Sequence, residues 1–166
     1  MNIEFSGYIP GAIGRIVELH ATYYHKHWGF GLYFESKVAM ELSEFLCRFE
    51  EGRDGFWVAH VEGEIVGAVA IDGMNTDTKG AHLRWFIVAP EYQGKGIGEK
   101  LLGVAVNFCK KMNFPRVYLW TFEGLYSARR LYEKVGFRLC GHQEGSQWGI
   151  TVTEQLFELR LGRTMS

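Results

Sequence analysis

The chemistry of this 166-residue chain concentrates in one run, Gln93-Gly94-Lys95-Gly96-Ile97-Gly98. It follows a strand-like stretch, His82 to Val88, which Pro90 stops. It opens a helical pattern carried by Ile97, Leu101, Ala105, Phe108 and Met112. The first turn of a helix leaves N–H groups unpaired and carries a partial positive charge. Glycines there let an anion reach the main chain. From Gly94 to Lys111 four lysines stand against one glutamate, a local charge of +3, whereas the whole chain carries −1. A phosphate-bearing ligand is the expectation. Two known frameworks do not fit. The run lacks the Gly-Lys-Ser/Thr ending of a P-loop, and Glu99 stands where a dinucleotide fingerprint needs its last glycine. Taken alone, the run also reads as a plain glycine turn before a surface helix.

Other reactive residue types are scattered. Six histidines show no metal-ligand spacing: His25 and His27 point to different sides of a helix, and no His-Glu-x-x-His or cysteine pair supports them, so no metal is expected. Cys47, Cys109 and Cys140 are odd in number and far apart, which excludes a disulfide framework. Cys47 and Cys109 lie in helical apolar patterns and are expected to be buried thiols. Tyr23, Tyr24, Trp28, Phe30, Tyr33 and Phe34 form an aromatic patch, either core or the wall of a binding site. A net charge near zero argues against a nucleic-acid partner. No apolar run reaches the roughly 20 residues that span a bilayer, and Met1-Asn2-Ile3-Glu4 does not resemble a signal peptide. Neither a membrane partner nor any address but the cytoplasm is expected.

The elements that must position these residues read as one domain over 1–166, with 47% hydrophobic and 22% charged residues and only three prolines. A short strand near Ile3 precedes a helix on Ile13, Ile16, Val17, His20, Tyr24 and His27, which Gly29 and Gly31 break. A second helix carries Val38, Leu42, Phe45, Leu46 and Phe49. Strands follow at Phe56–Val61, Ile65–Ile71 and His82–Val88. After the glycine run and its helix come a strand at Arg116–Trp120 and a helix on Leu125, Ala128, Tyr132 and Val135. Two late strands close the chain, Phe137–Cys140 and Ile150–Leu161. This order predicts a mixed α/β (α+β) sandwich and not a doubly wound sheet.

Two motifs in this order carry a resemblance. Val88-x-Pro90-x-x-Gln93-Gly94-x-Gly96-x-Gly98 resembles the acetyl-coenzyme-A loop of the GNAT superfamily of N-acetyltransferases. Ala128-Arg129-Arg130-Leu131-Tyr132-Glu133-Lys134-Val135-Gly136-Phe137 resembles the helix end that follows it in that superfamily. Trp28-Gly29-Phe30, Leu83-Arg84-Trp85-Phe86, Leu119-Trp120-Thr121-Phe122 and Gln147-Trp148-Gly149 resemble acetyltransferase halves fused to winged-helix regulators in bacteria. The length leaves no room for such a regulator, so the module is expected to stand alone. The resemblance implies a GNAT-like fold, a mixed sheet of about six to seven strands flanked by about four helices.

The resemblance also implies an activity: acetyl transfer from acetyl-coenzyme A to a primary amine, directly, in a ternary complex. The diphosphate would rest on the backbone of Gln93, Gly94, Lys95, Gly96, Ile97, Gly98 and Glu99, with Gly96 least able to accept a side chain. The pantetheine arm would pair with the edge of Phe86, Ile87 and Val88. Tyr132 would protonate the leaving thiolate, and His82, with a pKa near 6.5, is the first candidate base. Glu123, Glu144 and Glu154 are weaker candidates. Cys140 is the thiol left open as an acyl carrier. Leu125 stands where many members of the superfamily carry an asparagine that contacts the cofactor or acceptor, and Trp120 where protein N-terminal acetyltransferases carry a glutamate; both absences count against a ribosomal-protein or N-terminal-amine acceptor. Polyamines, amino acids, antibiotics and peptide ends stay open as small-molecule or peptide acceptors. Strand parity near a bulge leaves open whether Arg84 and Trp85 face the acceptor, and Arg129 and Arg130 read most simply as a solvated helix face, with a role near the adenosine phosphate as the alternative. Homodimers are frequent in the superfamily, so a homodimer is among the expectations. Two rival readings are an acyl-coenzyme-A sensor without turnover and an acyltransferase with another acyl donor.

Overall fold

A computed structural model describes residues 2–77, 79–146 and 148–162. Gln147, part of the Gln-Trp-Gly resemblance, lies outside the described residues. The elements are β1 (Glu4–Ser6), α1 (Ala12–Trp28), α2 (Leu32–Cys47), β2 (Gly55–Val61), β3 (Glu64–Asp72), β4 (Ala81–Val88), α3 (Ile97–Lys111), β5 (Arg116–Phe122), α4 (Tyr126–Lys134), β6 (Arg138–Gly145) and β7 (Val152–Arg160), with one 3-10 turn at Pro90–Tyr92. The order of elements is the one expected, and the seven strands form one sheet ordered β1-β2-β3-β4-β5-β7-β6. Neighbours are antiparallel except β4 and β5, which run parallel.

Both faces of the sheet are covered. β3 is buried from Ile65 to Asp72 because α3 packs on one side and α1 with α2 on the other. α3 presents Ile97, Leu101, Leu102, Ala105 and Cys109 at helical spacing to one core. Ile16, Phe30, Leu42 and Phe45 from the α1–α2 side fill the other. Leu101 and Leu102 are fully enclosed, and truncating either to alanine costs about 2–5 kcal/mol. Among the described residues, no helix is long and apolar enough to cross a membrane.

Three details depart from the sequence reading. Cys47, expected to be buried, is exposed at the last residue of α2, whereas Cys109 is buried. The helix stops there, before Phe49, and the Arg48 N–H closes it on the Glu44 carbonyl at 3.1 Å. β6 runs five residues past Cys140, to Gly145, because it pairs with β7 as far as Gly145↔Val152. Its largely exposed side chains gave no apolar alternation to read.

The feature that matters for function is a fault in the sheet. Ala68 pairs with Ile87 and Ala70 with Arg84, so Trp85 and Phe86 together oppose Val69. Trp85 takes a φ of +50°, which costs a bulky residue about 1–2 kcal/mol. This bulge bends β4 away from β5. The two strands pair only at Ala81↔Val117 and His82↔Tyr118, then part. The edge of β4 from Arg84 to Val88 therefore opens onto a cleft.

Candidate active site

The glycine run sits at one end of the cleft. Gly94 and Gly96 have φ of +79° and +83°, and a Cβ built on either would meet nothing within 4 Å. The space above the loop is open, as a cradle for a diphosphate requires. Gly96 caps the N-terminus of α3 in the left-handed conformation. Its restriction is one of backbone conformation. The glycine closed by space is Gly98, whose Cβ would lie 2.9 Å from Leu131 Cδ1 and 3.1 Å from Phe86 Cζ. Steric intolerance therefore falls at Gly98 and not, as expected, at Gly96. The Gln93 side-chain amide donates to the Val88 carbonyl at 3.2 Å and ties the loop to the strand edge. Glu99 is matched by Lys134 at 3.0 Å.

A cavity of about 440 Å³ lies over this loop, between β4 and α4. Its wall includes Phe86, Val88, Gly94, Gly96, Gly98 and Arg130. Of the two readings open for Arg130, the solvated face and a place near the donor cleft, its position fits the second. Arg129 instead pairs with Glu133 at 3.3 Å.

A second cavity, of about 380 Å³, lies between the parted strands and the α1–α2 face. Phe86 lines both cavities, and the second includes Tyr132, His82, His20, Glu41 and Arg84. Tyr132 comes from α4, one residue after Leu131 of the first cavity. It is 5% exposed, and its ring lies 5.7 Å from that of Phe86. The helix end that places it has a simple cause. Gly136 turns left-handed (φ +107°), the Phe137 N–H bonds back to the Tyr132 carbonyl at 2.9 Å, and Phe137 is buried beside the Tyr132 ring. Burial, reinforced by neighbouring Tyr24, raises the Tyr132 hydroxyl pKa far above its ordinary value, so it stays protonated and able to donate.

His82 faces the same space from β4, stacked on Tyr118 at 4.5 Å. Burial first, then the charges of Arg84 and Lys79, lower its pKa to about 3 against the pull of Asp72. It does not keep the near-neutral pKa expected of it. His20, from α1, was absent from the expected site. It is 6% exposed, and burial brings its pKa down to about 4. Its Nδ1 lies 2.8 Å from the Ile16 carbonyl. A carbonyl only accepts, so the proton sits on Nδ1 and Nε2 keeps the lone pair. A polar residue on the apolar stripe of the first helix was the signal available in the sequence.

The aromatic patch divides. Tyr24, Phe34 and Trp148 line the second cavity with Phe122, as a closed circuit of rings 5.0–5.7 Å apart. Phe30 is buried behind them. Trp148 is held from below by Glu154, which is 1% exposed: the indole N–H donates to its Oε1 at 2.8 Å and Gln143 donates to its Oε2 at 3.1 Å. Glu154 is therefore a support beneath the wall, and Glu123 and Glu144 are exposed and away from the cavity. Cys140 is exposed on β6, outside both cavities. Among the described residues, no group of histidine, cysteine and carboxylate side chains could hold a metal ion.

This architecture has counterparts. The yncA protein of Salmonella typhimurium, solved with acetyl-CoA, superposes with a TM-score of 0.75 over 99% of this chain and 96% of its own; at 15% identity the likeness is one of fold. In sequence, an uncharacterised N-acetyltransferase of Methanocaldococcus jannaschii is 30% identical over 119 residues, 69% of this chain and 53% of its own length. The N-acetylaspartate synthetase of Danio rerio is 36% identical over 89 residues, 54% of this chain and 31% of its own length. The matches thus cover about half or less of these curated relatives. The acetyltransferase (GNAT) family model matches residues 13–137. A match running from the first helix to the phenylalanine after α4 makes this chain a member of the GNAT acetyltransferase family.

Proposed function

We propose that this domain moves an acetyl group from acetyl-coenzyme A to a primary amine, directly, in a ternary complex. One observation carries the reading: the cavity over the glycine run and the cavity holding Tyr132 meet at Phe86, along the open edge of β4. A donor whose diphosphate rests on the N–H groups from Gln93 to Glu99 would lay its pantetheine arm along Phe86, Ile87 and Val88 and bring its thioester to Tyr132.

In the reaction the amine nitrogen attacks the thioester carbonyl carbon. A new N–C bond forms, and a backbone N–H near Ile87 or Val88 stabilises the oxyanion. The C–S bond then breaks, and the Tyr132 hydroxyl gives the departing thiolate a proton that solvent restores. An ammonium loses two protons in becoming an amide N–H, one before attack to expose its lone pair and one from the tetrahedral intermediate. Passing the first to His82, with its pKa of about 3, would cost about 10 kcal/mol for a lysine-like pKa, whereas losing it to bulk solvent at pH 7 costs about 5 kcal/mol, at 1.36 kcal/mol per pKa unit. The amine therefore enters the site already neutral, its N–H donates to His82, and the second proton, released once the N–C bond has formed, passes to solvent.

The likeness to regulator-fused modules, carried by residues such as Trp28, Trp85 and Trp120, motivates a second reading, an acyl-coenzyme-A sensor. Steady release of free coenzyme A in the presence of an amine supports the enzyme. Acetyl-coenzyme A binding without release for any amine overturns it in favour of the sensor. Running propionyl- and succinyl-coenzyme A alongside tests the choice of donor, and sedimentation tests the expected homodimer.

A further inference from the structure

Behind one wall of the second cavity, which Glu41 and Arg84 reach, runs a row of side chains alternating in charge: Lys37, Glu41, Arg84, Asp72 and Arg48. Lys37 Nζ lies 3.1 Å from Glu41 Oε1, and Arg84 Nη2 lies 2.9 Å from Glu41 Oε2. Arg84 Nη1 is 3.5 Å and Arg48 Nη2 2.6 Å from Asp72 Oδ2. Asp72 Oδ1 accepts from Arg48 Nη1 at 3.3 Å and from the Met74 N–H at 3.1 Å. Three cations thus share two carboxylates, and every carboxylate oxygen already accepts a donor.

The donors are not used up. A guanidinium has five N–H groups and an ammonium three. Arg84 spends two on these carboxylates, Lys37 one, and Arg48 Nε is buried with no partner. Glu41 and Arg84 are the members that line the cavity. The Arg84 guanidinium carbon lies 4.1 Å from the centre of the Trp85 ring, a cation–π contact that helps hold it at the cavity wall. Asp54, further out, is taken by Arg53 at 2.8 Å, and Glu154 is sealed behind Trp148 and Gln143. A second ammonium on an acceptor would meet two carboxylates already shared among three cations, in a row whose formal charge is +1. A carboxylate would meet what the wall lacks. The wall completed by Tyr24, Phe34, Phe122 and Trp148 is apolar, and the two histidines facing the cavity are neutral.

We infer that the acceptor is a free α-amino acid with a large apolar side chain. Its carboxylate docks on Arg84 beside the Lys37–Glu41 pair, its side chain lies on the rings, and its amine faces the thioester. The inference rests on the acetyl transfer proposed above and deepens it by choosing among the acceptors left open; a polyamine is the class it disfavours most.

The test begins with the unmodified protein. Coenzyme A release is followed with phenylalanine, tryptophan and methionine, each beside its carboxamide and its decarboxylated amine. Charge-assisted hydrogen bonds to a carboxylate predict kcat/KM at least about tenfold higher for the acid than for either partner. Arg84→Gln should bring that ratio toward one, chiefly by raising KM for the acid. Amide or amine used as well as the acid overturns the inference while leaving acetyl transfer intact. Release with none of the nine compounds but with a polyamine or a peptide amine, donor binding preserved, overturns the inference and keeps acetyl transfer; release with no amine of any class overturns both readings.

Discussion

The two cavities that meet at Phe86 are built by different means. The proposed donor side rests mainly on main chain between Phe86 and Glu99, a glycine loop, a helix N-terminus and the free edge of a strand, closed on one flank by α4 residues such as Arg130 and Leu131. The acceptor side is made of side chains from α1, α2, β4, β5, α4, β6 and the approach to β7. A main-chain site depends on where glycine is allowed and tolerates varied side chains. A side-chain site depends on supports such as Glu154 and on charges that must balance. Substitutions should therefore separate the two, and four experiments press on that division.

Tyr132→Phe stands at the junction and carries the largest expected effect. Loss of the acid should lower kcat about 10²–10⁴-fold, with the affinity for acetyl-coenzyme A unchanged by calorimetry. An equal loss in both would make Tyr132 a packing residue. Gly96→Asp attacks the main-chain side by setting a carboxylate beside the diphosphate. The expected loss of coenzyme A affinity is on the order of 100-fold, while the left-handed aspartate costs the free fold only about 1 kcal/mol. Unchanged affinity would remove the phosphate-loop assignment. Glu154→Ala attacks the other side by leaving the Trp148 indole and the Gln143 amide without their acceptor. Acceptor KM should rise about tenfold, with donor affinity unmoved and Glu154→Gln recovering part of the loss. A matching loss of donor affinity would contradict the division.

The smallest effect is one of pH. His20 and His82 have folded pKa values of about 4 and about 3, below their ordinary 6.5. Below pH 6.5 the unfolded chain binds more protons than the folded one, so stability falls as the solution is acidified. It is fully present only above the unfolded pKa. Going from pH 7 to pH 6 should cost about 1 kcal/mol and lower Tm by about 2–4 °C. A Tm unchanged over that interval would mean that the cavity already holds these rings charged.

The same division explains what could be read in advance. The glycine run, the strand before it and the helix end at Gly136-Phe137 are local patterns, so the donor side and the element order were legible. Arg84 and Trp85 were not placeable, because the bulge breaks strand alternation where it matters. Glu41, Gln143 and His20 reach the acceptor side from elements far apart in sequence, and nothing local marks them. Cys47 was misplaced because an apolar helical pattern does not say which turn is the last. The basicity of His82 could not be read either, since it depends first on burial, which elements distant in sequence impose, and only then on Arg84, two residues along the same strand.

Phe86 belongs to both compartments, and that has a consequence for how such a domain can change. On the proposed reading the ring is at once the floor under the incoming acyl chain and a flank of the space for the nucleophile. Preference for chain length and preference for the partner molecule are then not independent properties. A smaller residue at this position would admit a longer acyl group only by also remodelling the seat of its recipient, so the two selectivities are bound to drift together.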